Sequence, residues 1–145
     1  MIHYKKSQVT KLLKGPKAPE TTVEWMKFYD PGYSILQLRK MLPNLFWGQD
    51  WYRNEDFAKR TDEPCEKEIL ITALPNSLYK TIDGQRAMQP KGQRIPLCRE
   101  WVMAAVLHYR STGEKLWNDY WYRFDEQTAY GFWVLVYWHG GQLNF

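Results

Sequence analysis

A run of seven apolar or aromatic residues, FWVLVYW, occupies positions 132–138 near the end of the 145-residue chain. In an extended segment successive side chains point to opposite faces, so both faces of this run are hydrophobic. A strand of that kind is normally central in its sheet and covered on both sides. The run therefore predicts a sheet that contains this strand and is packed against another layer.

The two faces of this predicted strand differ in their polar groups. The face suited to packing under a helix carries Phe132, Val134, Val136 and Trp138. The opposite face carries Trp133, Leu135, Tyr137 and His139, with an indole N–H, a phenol and an imidazole. We expect this second face to be partly covered by N-terminal helices or open to a partner. Its three polar rings (Trp133, Tyr137 and His139) are candidate binding residues.

Hydrophobic periodicity and turn residues predict the other elements. The clearest helix spans 96–111, with Trp101 on its apolar stripe and Arg99, Glu100 and Arg110 on its solvent side. Shorter helices are predicted at 7–13, 34–41, 51–59 and 81–89. Strands that pair with one another are predicted near 67–74, 119–124, 132–138 and 142–145, with a hairpin turn at 139–141. The predicted fold class is α+β: a helical N-terminal half, then a small antiparallel sheet with one long helix packed on it.

Composition predicts one globular domain, at residues 21–145, because the hydrophobic fraction of 44% and the charged fraction of 25% are ordinary. The aromatic fraction of 17%, with 8 Trp and 10 Tyr, is high. Large rings are typical both of a core built from big side chains and of an exposed interface. The sequence leaves both interpretations open, although Trp101 is predicted to belong to the core.

Positive charge is concentrated in a predicted arm and linker at residues 1–20, which hold five lysines and one acid. The formal net charge of the whole chain is +4, so the remaining residues are balanced. Such an arm can bind phosphates without sequence preference or serve as a solvated tail. Lys5, Lys6, Lys11 and Lys14 are therefore candidate nucleic-acid contacts.

Cys65 and Cys98 show neither a disulfide framework nor a metal-binding C-x-x-C spacing, so both are predicted to be free thiols in a reducing compartment. No stretch of roughly 18 apolar residues is present, and the N-terminus lacks the apolar core of a signal peptide. We therefore expect a cytoplasmic protein with no membrane partner.

Motifs for catalysis and cofactors are sparse. The HGG segment at 139–141 is found in the oxyanion loops of some esterases, but the accompanying G-x-S-x-G is missing. The three histidines lack zinc spacing, and neither a P-loop nor a G-x-G-x-x-G segment occurs. The prediction is accordingly that there is no cofactor, no metal site and no assigned catalytic residue. Whether the protein is an enzyme stays open, with the motif content favouring a non-enzyme.

The leading prediction is a small non-enzymatic binding or interaction module whose partner, a protein or a nucleic acid, the sequence does not identify. The first alternative is an RNA-binding or DNA-binding protein that uses the lysine arm and an aromatic surface, because the rings and arginines of WYRNEDFAKR and YWYRF can stack on bases. The second alternative is a hydrolase. It would use Cys98 with His139 and Asp125, or a pair of carboxylates from the segment 50–56.

Several segments resemble a family of small uncharacterised bacterial proteins, many of them from candidate phyla. The matching segments are DPGYS (30–34), LPNSLYKTIDGQ (74–85), TGEKLW (112–117), YWYRFDEQTAYG (120–131) and GGQLNF (140–145). The family has no assigned activity, so the resemblance implies no catalytic residue. Its members carry an Asp-rich turn where this chain has DEQTAYG, and an acidic tail after the hairpin that this sequence does not include. The resemblance therefore does not imply cation binding here.

Overall fold

The computed structural model describes residues 24–72, 74, 77 and 80–145. In chain order the elements are β1 (Trp25–Asp30), α1 (Ile35–Met41), a 3-10 turn (Pro43–Leu45), α2 (Asp56–Lys59), β2 (Cys65–Leu70), α3 (Ile82–Ala87), α4 (Cys98–Thr112), β3 (Tyr122–Gln127), β4 (Trp133–His139) and β5 (Gln142–Asn144). Helices and antiparallel sheets are both present, so the predicted α+β class is confirmed. Within these described ranges, no helix combines the length and apolar character that crossing a bilayer requires.

The strands form two separate sheets. β1 pairs with β2 in antiparallel register, with Trp25 opposite Leu70 and Asp30 opposite Cys65. The second sheet has the order β3-β4-β5 and is also antiparallel. The prediction that the strand near 67–74 pairs with the C-terminal strands is wrong. Its partner is β1, a strand that the sequence patterns did not predict. The alternating buried residues of β1 end in the carboxylate of Asp30.

The prediction of a helical N-terminal half is not confirmed. Residues 1–23, which include the predicted helix at 7–13, lie outside the described residues, and the described part of this half contains β1 and β2 besides two short helices. The helix predicted at 51–59 is reduced to the four residues of α2. Asp50 does not cap it, because its carboxylate pairs with Arg39 and Arg53.

β4 is the central strand of its sheet, as the sequence predicted. Val134, Val136 and Trp138 are buried on the face toward α4, whereas Phe132 precedes the strand and is 71% exposed, which corrects its predicted place in that layer. The predicted hairpin turn is confirmed. Gly140 and Gly141 have φ angles of 56° and 86°, a left-handed conformation that glycine adopts without steric cost.

α4 is the central helix and contacts β1, β4, α1 and α2. Since neighbours cover it on several sides, its buried residues extend around the helix instead of forming one stripe. The predicted solvent side is therefore corrected at two positions: Arg99 is 0% exposed and Glu100 is 4% exposed. Burying two charges requires partners, and those partners are among the groups described below.

Candidate functional site

One face of the C-terminal sheet points away from α4 and carries exposed and half-buried rings. Alternation along β4 places the predicted binding residues Trp133, Tyr137 and His139 together on this face. Two tryptophans from outside β4 join them. The set that we call the aromatic face consists of Trp47, Trp121, Trp133, Tyr137 and His139.

Trp121 is the most exposed member of the aromatic face, with 65% of its surface accessible. Its indole stacks on the ring of Tyr137, with centroids 4.6 Å apart and planes inclined by 15°. The Tyr137 hydroxyl accepts a hydrogen bond of 2.8 Å from the side-chain amide of Asn144 on β5. Trp121 is therefore held flat against an ordered ring while its other side faces solvent.

His139 marks the end of β4 and lies against Trp47. The two ring centroids are 4.7 Å apart at an angle of 69°, an edge-to-face contact. Trp47 is positioned by its backbone N–H, which donates to the carbonyl of Leu143 on β5 at 2.8 Å. The segment that follows α1 therefore extends the aromatic face past the edge of the sheet.

Trp133 lies at the opposite end of β4 under a cation. The guanidinium of Arg86 on α3 is 5.4 Å from the centre of the Trp133 indole. Arg86 is fixed by hydrogen bonds to Asp125, with 2.8 Å from its Nε to Oδ2, and to Asp83 at 2.7 Å. The hydrogen bonds that Arg86 donates to Asp125 raise the pKa of Arg86 and lower the pKa of Asp125. The sequence predicted that N-terminal helices would partly cover this face. In the structure part of the cover comes instead from Arg86 of α3.

Of the predicted binding residues, the structure brings together the three on β4. Lys5, Lys6, Lys11 and Lys14 lie outside the described residues. Sequence analysis missed Trp47, Trp121 and Arg86, which tertiary folding brings to the face from three other segments. The aromatic character of the YWYRF stretch was the one available signal, and it pointed to Trp121.

A buried ion pair connects α4 to β1. Arg99 and Asp30 are both 0% exposed and form two parallel hydrogen bonds of 2.9 Å and 2.6 Å. Burial would raise the pKa of Asp30, but the hydrogen bonds from Arg99 and from the backbone N–H of Gly32 outweigh it and lower this pKa. Lys67 on β2 adds a third charge at 3.1 Å from Asp30. The pair therefore neutralises both charges inside the fold, while Nε of Arg99 has no hydrogen-bond partner among the described residues.

Gly32 brings a second acid to this network. Its φ is 81°, and a Cβ at this position would lie 2.0 Å from the carbonyl oxygen of Asp62. The N–H of Asp62 donates to the Gly32 carbonyl at 3.0 Å, so the two backbones are in direct contact. The Asp62 carboxylate then accepts from Lys67 at 2.6 Å. Only glycine permits both this backbone conformation and the close approach.

Glu100 forms the other end of the same network. Its carboxylate accepts two hydrogen bonds from Arg94, of 2.8 Å and 2.7 Å, one from Lys67 at 2.8 Å and one from the backbone N–H of Leu97 at 2.8 Å. Burial would raise the pKa of Glu100, but these hydrogen bonds outweigh it and lower the pKa to about 2. The ionised form of Glu100 is therefore part of the folded structure.

This shift predicts a dependence of stability on pH. A carboxyl group with a lowered pKa in the folded state stabilises the fold above its ordinary pKa of 4.5, and that contribution is lost as the pH falls toward 2. We expect Glu100→Gln to flatten the fall in unfolding free energy between about pH 5 and about pH 2, measured by urea denaturation. Glu66→Gln, which removes an exposed carboxylate, should leave the slope unchanged. Parallel curves for the wild-type chain and Glu100→Gln would contradict the assignment.

A groove of about 890 Å³ is lined by residues of both sheets, of the segment 85–96 and of the first turn of α4. One wall is aromatic: Trp101 stacks on Trp117 at 4.7 Å and 27°, and Tyr122 is 5.6 Å from Trp101. The other groups that line it include Lys67, Arg94 and Glu100 of the ion network. This size lies within the range of sites for small molecules.

The proposed catalytic cysteine does not have the environment of a nucleophile. Cys98 is 0% exposed, and burial, with Glu126 nearby, raises the pKa of its thiol well above the ordinary value. A reactive cysteine requires a lowered pKa and access to solvent. The other two residues of that hypothesis have different contacts: His139 lies against Trp47, and Asp125 pairs with Arg86.

The acids of the segment 50–56 each have a structural contact. Asp50 pairs with Arg39 and Arg53, Asp56 pairs with Lys59, and Glu55 accepts a hydrogen bond of 2.8 Å from the backbone N–H of Ala129. Among the residues that the structure describes, no group of three or more His, Cys, Asp or Glu side chains is arranged to hold a metal ion.

Comparison with known proteins gives no guide to the role of these surfaces. No protein-family model, no curated protein and no solved structure matches the chain. The function must therefore be argued from the aromatic face and the groove themselves.

Proposed function

We propose that the chain is a non-enzymatic binding module that contacts a protein partner through the aromatic face. The observation that carries this proposal is Trp121, an indole that is 65% exposed and stacked on Tyr137. An exposed ring that is already held in one orientation loses little conformational entropy when a partner covers it. Tryptophan and tyrosine are also the residues that most often dominate the energy of protein interfaces.

The polar groups of the aromatic face support a protein partner. His139 is exposed beside Trp47, and the Tyr137 hydroxyl is already oriented by Asn144. Protein interfaces combine an aromatic centre with a polar rim that supplies hydrogen bonds. Arg86 and Asp125 provide such a rim at the Trp133 end, since their ion pair is partly exposed.

Replacing Trp121 with alanine is expected to weaken retention of the partner at least about tenfold, since central aromatic residues of interfaces contribute 2 kcal/mol or more. The measurement is a quantitative pull-down from cell extract with the full chain as bait. Trp51→Ala is the matched control, because Trp51 is also exposed (49%) but contacts Tyr52 and Phe57 elsewhere on the chain. A protein that both variants retain equally would count against the aromatic face.

A second candidate function is binding of single-stranded nucleic acid, and the placement of Arg86 over Trp133 favours it. Alternating rings and guanidinium groups on a sheet face can stack successive bases. The same variants distinguish this candidate when they are titrated with a labelled oligothymidylate at several salt concentrations. Weaker binding by Trp121→Ala together with a steep salt dependence would support a nucleic acid as the partner, with the lysine arm as a further contact.

A cytoplasmic location and membership of the bacterial family that the sequence resembles stay proposals. The location is supported by Cys65 and Cys98, which are both free, with Cys65 exposed to solvent. A free exposed thiol is typical of a reducing compartment. The hydrolase alternative has less support, because burial raises the pKa of Cys98 and the acids at 50–56 are used in structural contacts.

A further inference from the structure

We propose that the groove between the two sheets is a second binding site, and that its ligand is a planar aromatic molecule carrying one carboxylate. The site is distinct from the aromatic face, since neither Trp121 nor Tyr137 lines the groove. Three features of the groove define this ligand: its aromatic wall, a cation that lacks an acidic partner, and an indole N–H that lacks an acceptor.

The aromatic wall determines the shape of the ligand. Trp101 and Trp117 stack with their planes only 27° apart, and Tyr122 and Phe124 pack beside Trp101 at 5.6 Å and 6.1 Å. All four rings line the groove. Trp101, Trp117 and Phe124 are buried behind this wall, whereas Tyr122 is half-buried, so Tyr122 is the ring against which a planar aromatic ligand can stack.

Arg123 supplies the unpaired cation. Its Nε and Nη2 donate to the side-chain oxygen of Gln85 at 3.2 Å and 2.9 Å, and Nη2 also donates to the carbonyl of Lys80. Both acceptors are neutral, and within the part of the chain that the structure describes Nη1 donates no hydrogen bond. Arg123 is half-buried and lines the groove, so a carboxylate entering the groove can meet a guanidinium whose orientation is already fixed.

The other cations of the groove are already neutralised. Lys67 contacts three carboxylates, Arg94 is paired with Glu100, and Lys27 is paired with Glu66 on the neighbouring strand. The groove is lined by four basic and two acidic side chains, so its own balance is positive. A single negative charge placed near Arg123 matches this arrangement, because Arg123 is the one basic group in the groove with no carboxylate within ion-pair distance among the described residues.

Trp101 supplies the second unmet polar group. Its indole N–H is buried and has no hydrogen-bond partner among the described residues. A buried donor without an acceptor destabilises the folded chain. Because Trp101 lines the groove but is only 2% exposed, an acceptor oxygen of a bound molecule reaches this N–H only when the groove widens around that molecule. A carboxylate has two oxygens, so it adds acceptors as well as charge.

The test uses the full chain and two small probes of the same shape, 2-naphthoate and its neutral isostere 2-naphthamide. By isothermal titration calorimetry we expect 2-naphthoate to bind at least about tenfold more tightly than 2-naphthamide, because a hydrogen bond between a guanidinium and a carboxylate is stronger than one between a guanidinium and a neutral amide. Arg123→Gln should abolish this preference. Arg110→Gln, at an exposed arginine that does not line the groove, is the matched control and should retain it.

A second measurement locates the probe and does not depend on any variant. In NMR spectra of the wild-type chain, 2-naphthoate should shift the indole N–H signal of Trp101 and leave that of Trp121 unchanged. Three results would each overturn the proposal. They are equal affinity for the two probes, a preference for 2-naphthoate that survives Arg123→Gln, and a shift of the Trp121 indole signal without one at Trp101.

Discussion

Replacing Asp30 with asparagine is expected to lower the free energy of unfolding by about 3–5 kcal/mol, the usual cost of removing one partner of a buried ion pair. The variant keeps the shape of the side chain but leaves the guanidinium of Arg99 without its charge partner in a site that is 0% exposed. Asp62 also pairs with Arg99 but replaces Asp30 only in part, because its oxygen lies 3.4 Å away and already accepts from Lys67. Urea denaturation at neutral pH measures the loss.

Asp56→Asn is the matched control for this prediction. The Asp56 side chain is 98% exposed, and its ion pair with Lys59 is 3.8 Å long, so its removal should change stability by less than about 1 kcal/mol. If Asp30→Asn also costs less than about 1 kcal/mol, Arg99 must have another way to satisfy its charge, and the buried pair would not be a determinant of the fold.

Trp101→Ala is expected to destabilise the chain by about 3–5 kcal/mol, as a truncation of a large buried side chain. Trp101 is 2% exposed, stacks on Trp117 and contacts Phe124 edge to face. The unmet hydrogen bond of its indole N–H offsets part of the loss, which places the expected value toward the lower end of this range. Thermal and urea denaturation should agree on the direction.

Trp121→Ala makes the same chemical change at an exposed site and serves as the comparison. Because Trp121 is 65% exposed, its truncation should cost less than about 1 kcal/mol. A loss below about 1 kcal/mol for Trp101→Ala, no larger than that for Trp121→Ala, would mean that Trp101 does not belong to the core in solution, and it would also remove the aromatic wall on which the groove proposal depends.

The parts of the fold that follow from local patterns could be predicted from the sequence. β4 is recognisable because its apolar run has no polar interruption, and the adjacent Gly140-Gly141 pair fixes the turn. α4 is recognisable by its length, by apolar residues at helical spacing, and by Gly113, whose φ of 77° ends the helix. In each case residues that are neighbours in sequence determine the structure.

The buried charges could not be predicted, because their environment comes from distant segments. Asp30 and Arg99 are 69 positions apart, and neither has a sequence feature that separates it from a solvated charge. The sequence patterns did not predict β1, and with β1 missing β2 was assigned the wrong partner strand. The burial of Arg99 against Asp30 also explains why the sequence pattern placed Arg99 on the solvent side of α4.

The candidate site also has a part that local sequence patterns predict and a part that depends on contacts between distant segments. Strand alternation predicted that Trp133, Tyr137 and His139 share one face, and the structure places them there. Trp47 reaches that face through its backbone hydrogen bond to Leu143, and Arg86 reaches it from α3. No local sequence pattern predicts the groove, because its walls come from both sheets and from α4.

The separation of the two sheets has a mechanical consequence. No ladder of backbone hydrogen bonds joins β1-β2 to β3-β4-β5 within the described residues, so the distance between them is set by side chains packed on α4. Side-chain contacts yield to small displacements more readily than a continuous sheet does. The groove between the two sheets can therefore widen or narrow while each sheet keeps its own register. A cleft within a single sheet would lack this compliance.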